Sequence, residues 1–450
     1  MNRIFSLLAI ALALYVGSAS AQTPSPRALQ GYIETALAQN PEVQASRARL
    51  HNSEAHVTEA TSYLYPRLDF TSKFSQYSGG RVLNIPGVGV FNTAALGVVP
   101  WDNSFTVSWP IANLAVWQGM SISQGFRDAT TAEVSAKELA ISYEVSEAYY
   151  NFAKANELVS VRKSAESLAE ENRKVANALF AADKAPKNDV LRAEVGVASA
   201  EGDVLTAQNM AALAQTRFNN LLKREYDATI ETPTAEEITM TAGATADLAL
   251  KGMHAANPLS LPPQHEDEQR AFGNRPELQQ ILRTGDALGA TKRAAFSDYL
   301  PNISLFASYG WQEIDLKFAN ESHLFVGGAQ LKWNLFSGFN SNAKMQEADA
   351  QIEELRFNAE SAFAGIRLEI QNARLEKINA TERFAIAKKL ITSAEENYRI
   401  TKAQYDIGLV PLITMIDAQT TLANAKANLA TTTFDVMIGD AKYRKALGLR

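Results

Sequence analysis

The chain contains no cysteine. It can therefore hold no disulfide, no thiolate metal site and no cysteine-borne lipid anchor. Histidine is scarce, with five in 450 residues. His51 and His56 lie five apart in a helical pattern, which is the wrong spacing for one face. His265-Glu266-Asp267-Glu268 reads as a solvated acidic connector rather than a metal site. There is no glycine-rich phosphate loop, no nucleophile elbow and no His-Glu-x-x-His. No catalytic residue, cofactor or metal is expected, and the chain does not read as an enzyme. The formal net charge of −6 argues against nucleic acid as a partner. Long apolar runs are also missing. The one from Ile4 to Val16 is shorter than the roughly 20 residues needed to span a bilayer as a helix.

That run follows Met1-Asn2-Arg3 and precedes Gly17-Ser18-Ala19-Ser20-Ala21. A basic start, an apolar core and an Ala-x-Ala site predict a signal peptide over 1–21 and a mature chain from Gln22. Its removal takes away Arg3 and leaves 42 basic against 49 acidic residues. The protein is expected to be exported.

Glycine and proline are absent from Phe126 to Ala185, and Asn340 to Ile407 holds only Gly365. Both segments are rich in Ala, Glu, Lys, Gln and Leu, which favour helix. A helix of ~60–65 residues is roughly 90–100 Å long, too long for a compact domain of this size. Each ends in a break. The first is Ala182-Asp183-Lys184-Ala185-Pro186, and the second is Ile407-Gly408-Leu409-Val410-Pro411. A second helix returns from each, over Pro186–Arg224 and from Pro411 to about Leu447. Pro186 aligns with Pro411, Val190-Leu191 with Met415-Ile416, and Ala193 with Ala418.

The duplication extends further. Asn40-Pro41-Glu42 opens a helical pattern that ends before Pro66, and Asn274-Arg275-Pro276-Glu277 opens one that ends before Pro301. Each proline pair is 25 residues apart. After Pro66 and Pro301 the hydrophobic period changes to two. Leu68, Phe70 and Phe74 alternate with Arg67, Asp69 and Lys73, and Phe105, Val107 and Trp109 with Ser104, Thr106 and Ser108. In the second repeat the apolar set runs through Ile303, Leu305, Tyr309 and Trp311, then Phe325, Leu331, Trp333 and Leu335. Two hairpins are predicted, over 66–111 and 301–336, with strands long enough to cross a membrane when tilted. All five tryptophans fall within or beside these strands and none is expected in the long helices. A soluble sandwich would bury such indoles, whereas a membrane sheet would use Trp101, Trp109, Trp311 and Trp333 as an aromatic girdle, the reading their confinement to these segments favours. Gly79 to Pro100 reads as an exposed loop. The domain organisation is then a signal peptide (1–21), a first repeat (22–224), a connector (225–273) lying against the outside of the helices, and a second repeat (274–450).

A sheet spanning lipid must close, and four strands are too few for a closed membrane barrel. Chains must therefore pool their strands. Two would give eight, an interior just filled by side chains, and three would give twelve, with room for a lumen. The polar face, with Arg67, Lys73, Ser108, Asn302, Gln330 and Lys332, suits a wet interior.

The duplicated Asn-x-Pro-Glu and Leu-Pro-x-Leu pattern, the strand ends Trp109-Pro110-Ile111 and Trp333-Asn334-Leu335-Phe336-Ser337-Gly338, and the turn running through Tyr405, Gly408 and Asp417-Ala418-Gln419 resemble the TolC-like outer membrane efflux proteins. The resemblance covers nearly all of the mature chain. It implies a mainly α fold with membrane β: a homotrimer with a 12-stranded barrel in the lipid of the outer membrane of a Gram-negative-type cell. Long helical hairpins would form a periplasmic α-barrel. The partners it implies are a periplasmic adaptor (membrane fusion) protein and an inner-membrane pump, either proton-driven or an ABC exporter. The implied function is an outer membrane channel passing substrates outward. Small-molecule efflux is favoured, type I protein secretion is the alternative, and a periplasmic adaptor or structural coiled coil is a remoter one.

The family closes its periplasmic end with acidic rings. Asp417 matches one acidic position, while Thr414 stands where a second acid is often found. Val410 replaces a basic residue that latches the closed state in some members. Asp189 is a further constriction candidate, or simply an acid favoured by a helix N-terminus. Three converging carboxylates would favour cations over anions. The family's adaptor-docking turn matches Ile407, Gly408 and Leu409. Asp183 and Lys184 depart from it and are expected to tune partner choice.

Overall fold

The computed structural model describes residues 27–75, 81–85, 89–93, 101–233, 235–254, 264–313, 323–407 and 409–450. The expected signal peptide over 1–21, Gly408, and parts of the expected loop (79–80, 86–88, 94–100) and of the connector (234, 255–263) lie outside them.

The described chain is mostly helix. The elements are α1 (Arg27–Gln39), α2 (Pro41–Ser62), β1 (Arg67–Phe74), β2 (Arg81–Ile85), β3 (Gly89–Thr93), β4 (Trp101–Ala112), α3 (Leu114–Ala181), α4 (Lys187–Leu221), α5 (Ala235–His254), α6 (Gln264–Asn274), α7 (Pro276–Phe296), β5 (Asn302–Glu313), β6 (His323–Lys332), α8 (Asn340–Asp406) and α9 (Leu412–Ala446). Helices α3 and α8, of 68 and 67 residues, are each about 100 Å long at 1.5 Å per residue. The mainly helical fold with four long strands is the one expected from the sequence.

The chain divides into two compact units that cut across the two repeats. The first comprises Met1–Asn40, Ile141–Gln264 and Asn372–Arg444, and the second Pro41–Ala140, His265–Gln371 and Lys445–Arg450.

The second unit carries the sheet, antiparallel in the order β1-β4-β5-β6. Residues directly opposite share a face, so the register sorts the side chains. One face takes Leu68, Phe70, Phe105, Val107, Leu305, Tyr309, Phe325 and Leu331, interrupted by Ser72 and Asn103. The other takes Arg67, Lys73, Ser104, Thr106, Ser308, Gln330 and Lys332. Thr106 and Ser308 share a hydroxyl hydrogen bond of 3.1 Å across the central seam. Three strand-level expectations change. The stretch read as an exposed loop holds a second hairpin, β2 with β3, Arg81 opposite Thr93. Strand β6 stops at Lys332 rather than running on to Leu335, because only β5 pairs with it. Trp117 lies in the first turn of α3, so one tryptophan does belong to a long helix. That helix starts ahead of Phe126 because Gly125 is a packing residue and not a break. A Cβ there would meet the Cβ of Ala287 at 2.8 Å, so glycine lets α3 and α7 touch.

The same unit explains the extra residue Arg275 in the second repeat's opening signature. Its guanidinium is buried, donates to the Ala446 carbonyl at 2.9 Å and pairs with Glu369 at 2.5 Å. Gly448, at φ 75°, packs so closely on Asn274 that a Cβ would lie 2.8 Å away. Nearby, Glu138 binds both Arg47, at 2.8 Å, and Arg450. Burial alone would raise its carboxyl, but the two guanidinium groups outweigh burial and hold it below the usual carboxylate value.

In the first unit, Tyr149 and Phe218 are fully buried and stack with Tyr32. The connector is tied to this cluster by backbone bonds. Tyr149 donates to the Glu231 carbonyl, Tyr32 accepts from the Glu231 amide, and Asn219 donates to the carbonyls of Tyr226 and Ala228.

Candidate functional site

The two breaks between helices lie in the first unit, and their backbones close in the same way. In the first turn the Lys184 amide donates to the Leu179 carbonyl at 2.9 Å, and in the second the Leu409 amide donates to the Gln404 carbonyl at 2.9 Å. Both are six-residue closures, and in the first the helix ends through a left-handed residue. Asp183 holds that conformation, at φ 55°. Aspartate tolerates it better than most residues, because its short side chain bonds locally. In sequence, the counterpart of Asp183 is Gly408, which lies outside the described residues. The chemistry of the two turns differs. Ile407 and Leu409 are more than two-thirds exposed, whereas Asp183 and Lys184 present charge.

After each turn a proline starts the returning helix, and its carbonyl accepts from the third residue on. The Asp189 amide donates to Pro186 at 3.0 Å, and the Thr414 amide to Pro411 at 3.1 Å. Asp189 and Thr414 are thus counterparts. Val190 and Met415 are both buried, as are Ala193 and Ala418. The counterpart of Asp417 is Arg192, which the sequence reading did not single out; Arg192 is exposed and Asp417 lies on the same turn as exposed Thr414. Thr414 and Asp417 are three residues apart, so they share one face of α9.

Behind the turns, Ala176, Val190, Ala193 and Leu412 form a small apolar core against which Tyr405 and Ile416 pack. Burial, with the negative charges of Asp189 and Asp406, holds the Tyr405 hydroxyl above its ordinary value. Several polar ties join the first hairpin (α3, α4) to the second (α8, α9). Lys402 pairs with Glu171 at 3.2 Å. Asn172 donates its amide to the Gln419 side-chain oxygen, and both side chains are buried. Lys154 meets Asp435 at 3.2 Å. Val410, in place of a basic residue, leaves the turn itself without a salt-bridge latch at that position. Lys402 supplies an ion pair from the preceding helix, and it escaped notice because its partner is more than 200 positions away. A groove of about 630 Å³ lies among α3, α4 and α9, lined by Arg162, Leu191, Arg192, Ile413, Ile416 and Gln419 among others.

Of the sequence-predicted aromatic residues, Trp109 and Trp333 take matching places. Each indole N–H donates to a carbonyl two residues ahead of its hairpin's first proline, Leu64 at 2.9 Å and Tyr299 at 3.1 Å. Trp101 packs on Phe74 with ring centroids 4.8 Å apart, and Trp311 stands between Phe105 and Tyr309. Trp101 and Trp311 thus lie toward one end of the sheet, and Trp109 and Trp333 toward the other.

The family model described as outer membrane efflux protein matches residues 32–224 and 269–449. The chain belongs to that family. This efflux protein is 20% identical to outer membrane protein TolC of Escherichia coli, over 98% of this chain and 86% of the relative. It is 22% identical to the toluene efflux pump outer membrane protein TtgC of Pseudomonas putida, over 94% of this chain and 83% of the relative. Among solved structures, the outer membrane protein VceC of Vibrio cholerae superposes with a TM-score of 0.73 at 18% identity, covering 93% of this chain and 96% of that one. The protein is an outer membrane efflux channel that extends into the periplasm. Family members are passive channels, not enzymes.

Proposed function

We propose that this efflux protein is the exit duct of a tripartite export system. Three copies would pool their strands into a 12-stranded barrel, and the helical hairpins would form a periplasmic tube. An adaptor and an inner-membrane pump would feed it. The observation that carries this reading is the four-stranded sheet. It has one apolar and one polar face and two open edges, a form that is stable in lipid only when closed. The apolar face would meet lipid, with Trp101 and Trp311 toward one interface and Trp109 and Trp333 toward the other.

The paired turns would be the docking end. Ile407, Gly408 and Leu409 would give the adaptor an apolar tip, and Asp183 and Lys184 would set partner choice. The face of α9 carrying Thr414 and Asp417 would line the constriction, with Asp189 nearby. Opening would separate the two hairpins and break the Glu171–Lys402 and Asn172–Gln419 ties. Export of small molecules is supported by the names of relatives described as toluene and antibiotic efflux pump components.

Planar-bilayer recording of the purified protein, with and without Asp417→Ala, tests the constriction. The parent should conduct and be blocked by divalent cations, and the variant should lose most of that block. Unchanged block would remove Asp417 from the constriction. Deletion of the protein from its cell should raise sensitivity to apolar toxicants. Loss of a secreted polypeptide without that effect would favour type I secretion.

A further inference from the structure

The charged side chains that line the groove among α3, α4 and α9 are Arg162, Arg192 and Asp203. Arg162 and Asp203 offset each other, since they pair at 3.3 Å. Arg192 is exposed and has no hydrogen bond or ion pair among the described residues. The groove thus carries one uncompensated positive charge, and arginine keeps it at any working pH.

Asp417 runs along the same groove. Ile413, Thr420 and Asn424 line it from α9. Asp417 stands four residues after Ile413, three before Thr420 and seven before Asn424, so the four form one stripe of the helix. Its carboxylate, too, has no ion pair among the described residues. The repeat gives the same match. Arg192 lies six residues beyond Pro186, and Asp417 six beyond Pro411. The two returning helices therefore bring opposite charges at equivalent positions to the walls of one groove. Asp189 lies one turn earlier on α4, where its charge bears on Tyr405 of α8, so Asp417 is the carboxylate that shares the groove with Arg192.

We propose that Arg192 is a selectivity-determining residue of the constriction, where it offsets the field of Asp417 and admits organic anions as well as cations. The proposal rests on the reading of Asp417 as a pore residue and adds the basic side chain that acts against it. Converging carboxylates alone would hold divalent cations and repel anions. Val190 and Ala193 of α4 share an apolar core with Leu412 and Ile416 of α9, which sets the helix axes about 8–10 Å apart there. That spacing is comparable with the Debye length of about 8–10 Å at ordinary ionic strength. A charge on one wall therefore bears on the other without contact. Each copy of the chain would bring one guanidinium for each Asp417, giving a mixed field in place of an acidic one.

Planar-bilayer recording of the full-length protein tests this with Arg192→Gln, Arg192→Lys, Asp417→Ala and the double variant Arg192→Gln with Asp417→Ala. Magnesium ion is the blocker, and the reversal potential in a potassium chloride gradient reads the ratio of cation to anion permeability. Arg192 is exposed and unbonded, so its replacement spares the fold. Arg192→Gln should tighten block roughly threefold and move the reversal potential toward that of potassium. Arg192→Lys keeps the charge and should match the parent. The gain should shrink between about 0.1 and 1 M salt, because screening weakens a field but not a change in packing. With Asp417→Ala in place, Arg192→Gln should no longer alter block. Parent-like block and reversal potential in Arg192→Gln, with block lost in Asp417→Ala, overturns the role of Arg192 and leaves the constriction reading standing. Block that survives Asp417→Ala overturns the constriction reading and the inference with it. A glutamine variant that tightens block equally at both salt concentrations overturns the field as its cause.

Discussion

Lys402 shows how a single residue can hold two distant segments together. Burial opposes its charge, but the bond it donates to Glu171 and the field of Glu171 and Asp406 prevail and raise it above the ordinary lysine value. A raised value means that the pair's contribution is complete below about pH 10.5. It is lost as pH rises through the folded value. Tyr405 acts in the same direction, because its ionisation would place a third negative charge between Asp189 and Asp406. The Lys402–Glu171 pair is partly exposed, so it contributes no more than about 1 kcal/mol, roughly a fivefold change in an opening equilibrium. Single-channel recordings should therefore show a steady open fraction from neutral pH to about pH 10, rising above about pH 10.5. Lys402→Met should already show the raised fraction at neutral pH. A variant with the parent's open fraction would make the pair incidental.

At the scale of elements, α3 and α7 come into close backbone contact at Gly125. Gly125 offers no side chain where a Cβ would meet Ala287 at 2.8 Å. Gly125→Leu must push the two helices apart, which costs about 1–3 kcal/mol or more by overpacking. Limited proteolysis should cut the variant faster than the parent. Gly119→Leu, on the same helix with open space around its Cβ, should not change the cleavage rate. Equal rates for both variants would show that this contact does not hold the pair. The turns follow a different rule. Asp183 shows that a left-handed closure does not require glycine, and two unlike sequences make the same closing hydrogen bond.

For the whole molecule, the two faces of the sheet set the cost of any charge. Phe105 lies on the apolar face against Phe70 and Trp311, and Thr106, its neighbour, lies on the polar face with Ser308. An arginine on a lipid face costs about 2–4 kcal/mol near the middle of the membrane. Phe105→Arg should therefore reduce the amount of protein recovered in the outer membrane several-fold. Thr106→Arg should leave recovery near the parent level and alter conductance instead. The reverse order would invert the assignment of the faces.

Much of this was legible in the sequence, because it depends on local periodicity and on breaks in it. Alternation of period two marks the strands from Leu68 to Phe74 and from Ile303 to Trp311. The paired prolines and the long stretches poor in glycine mark the helices and their turns. What local pattern cannot encode is pairing across distance. The start of α3 was hidden because Gly125 reads as a break until Ala287 is seen against it. The end of β6 depends on which strand lies beside it, not on the residues from Trp333 to Leu335. Arg275 looked like an extra spacer until its bonds to Ala446 and Glu369 were seen. The sequence by itself determined the long helices, the four strands of the main sheet and the sheet's two faces, since those follow from each residue and its near neighbours. Only the tertiary structure decided the register, the close helix contacts and the polar ties between hairpins, because each depends on two groups that folding alone brings together.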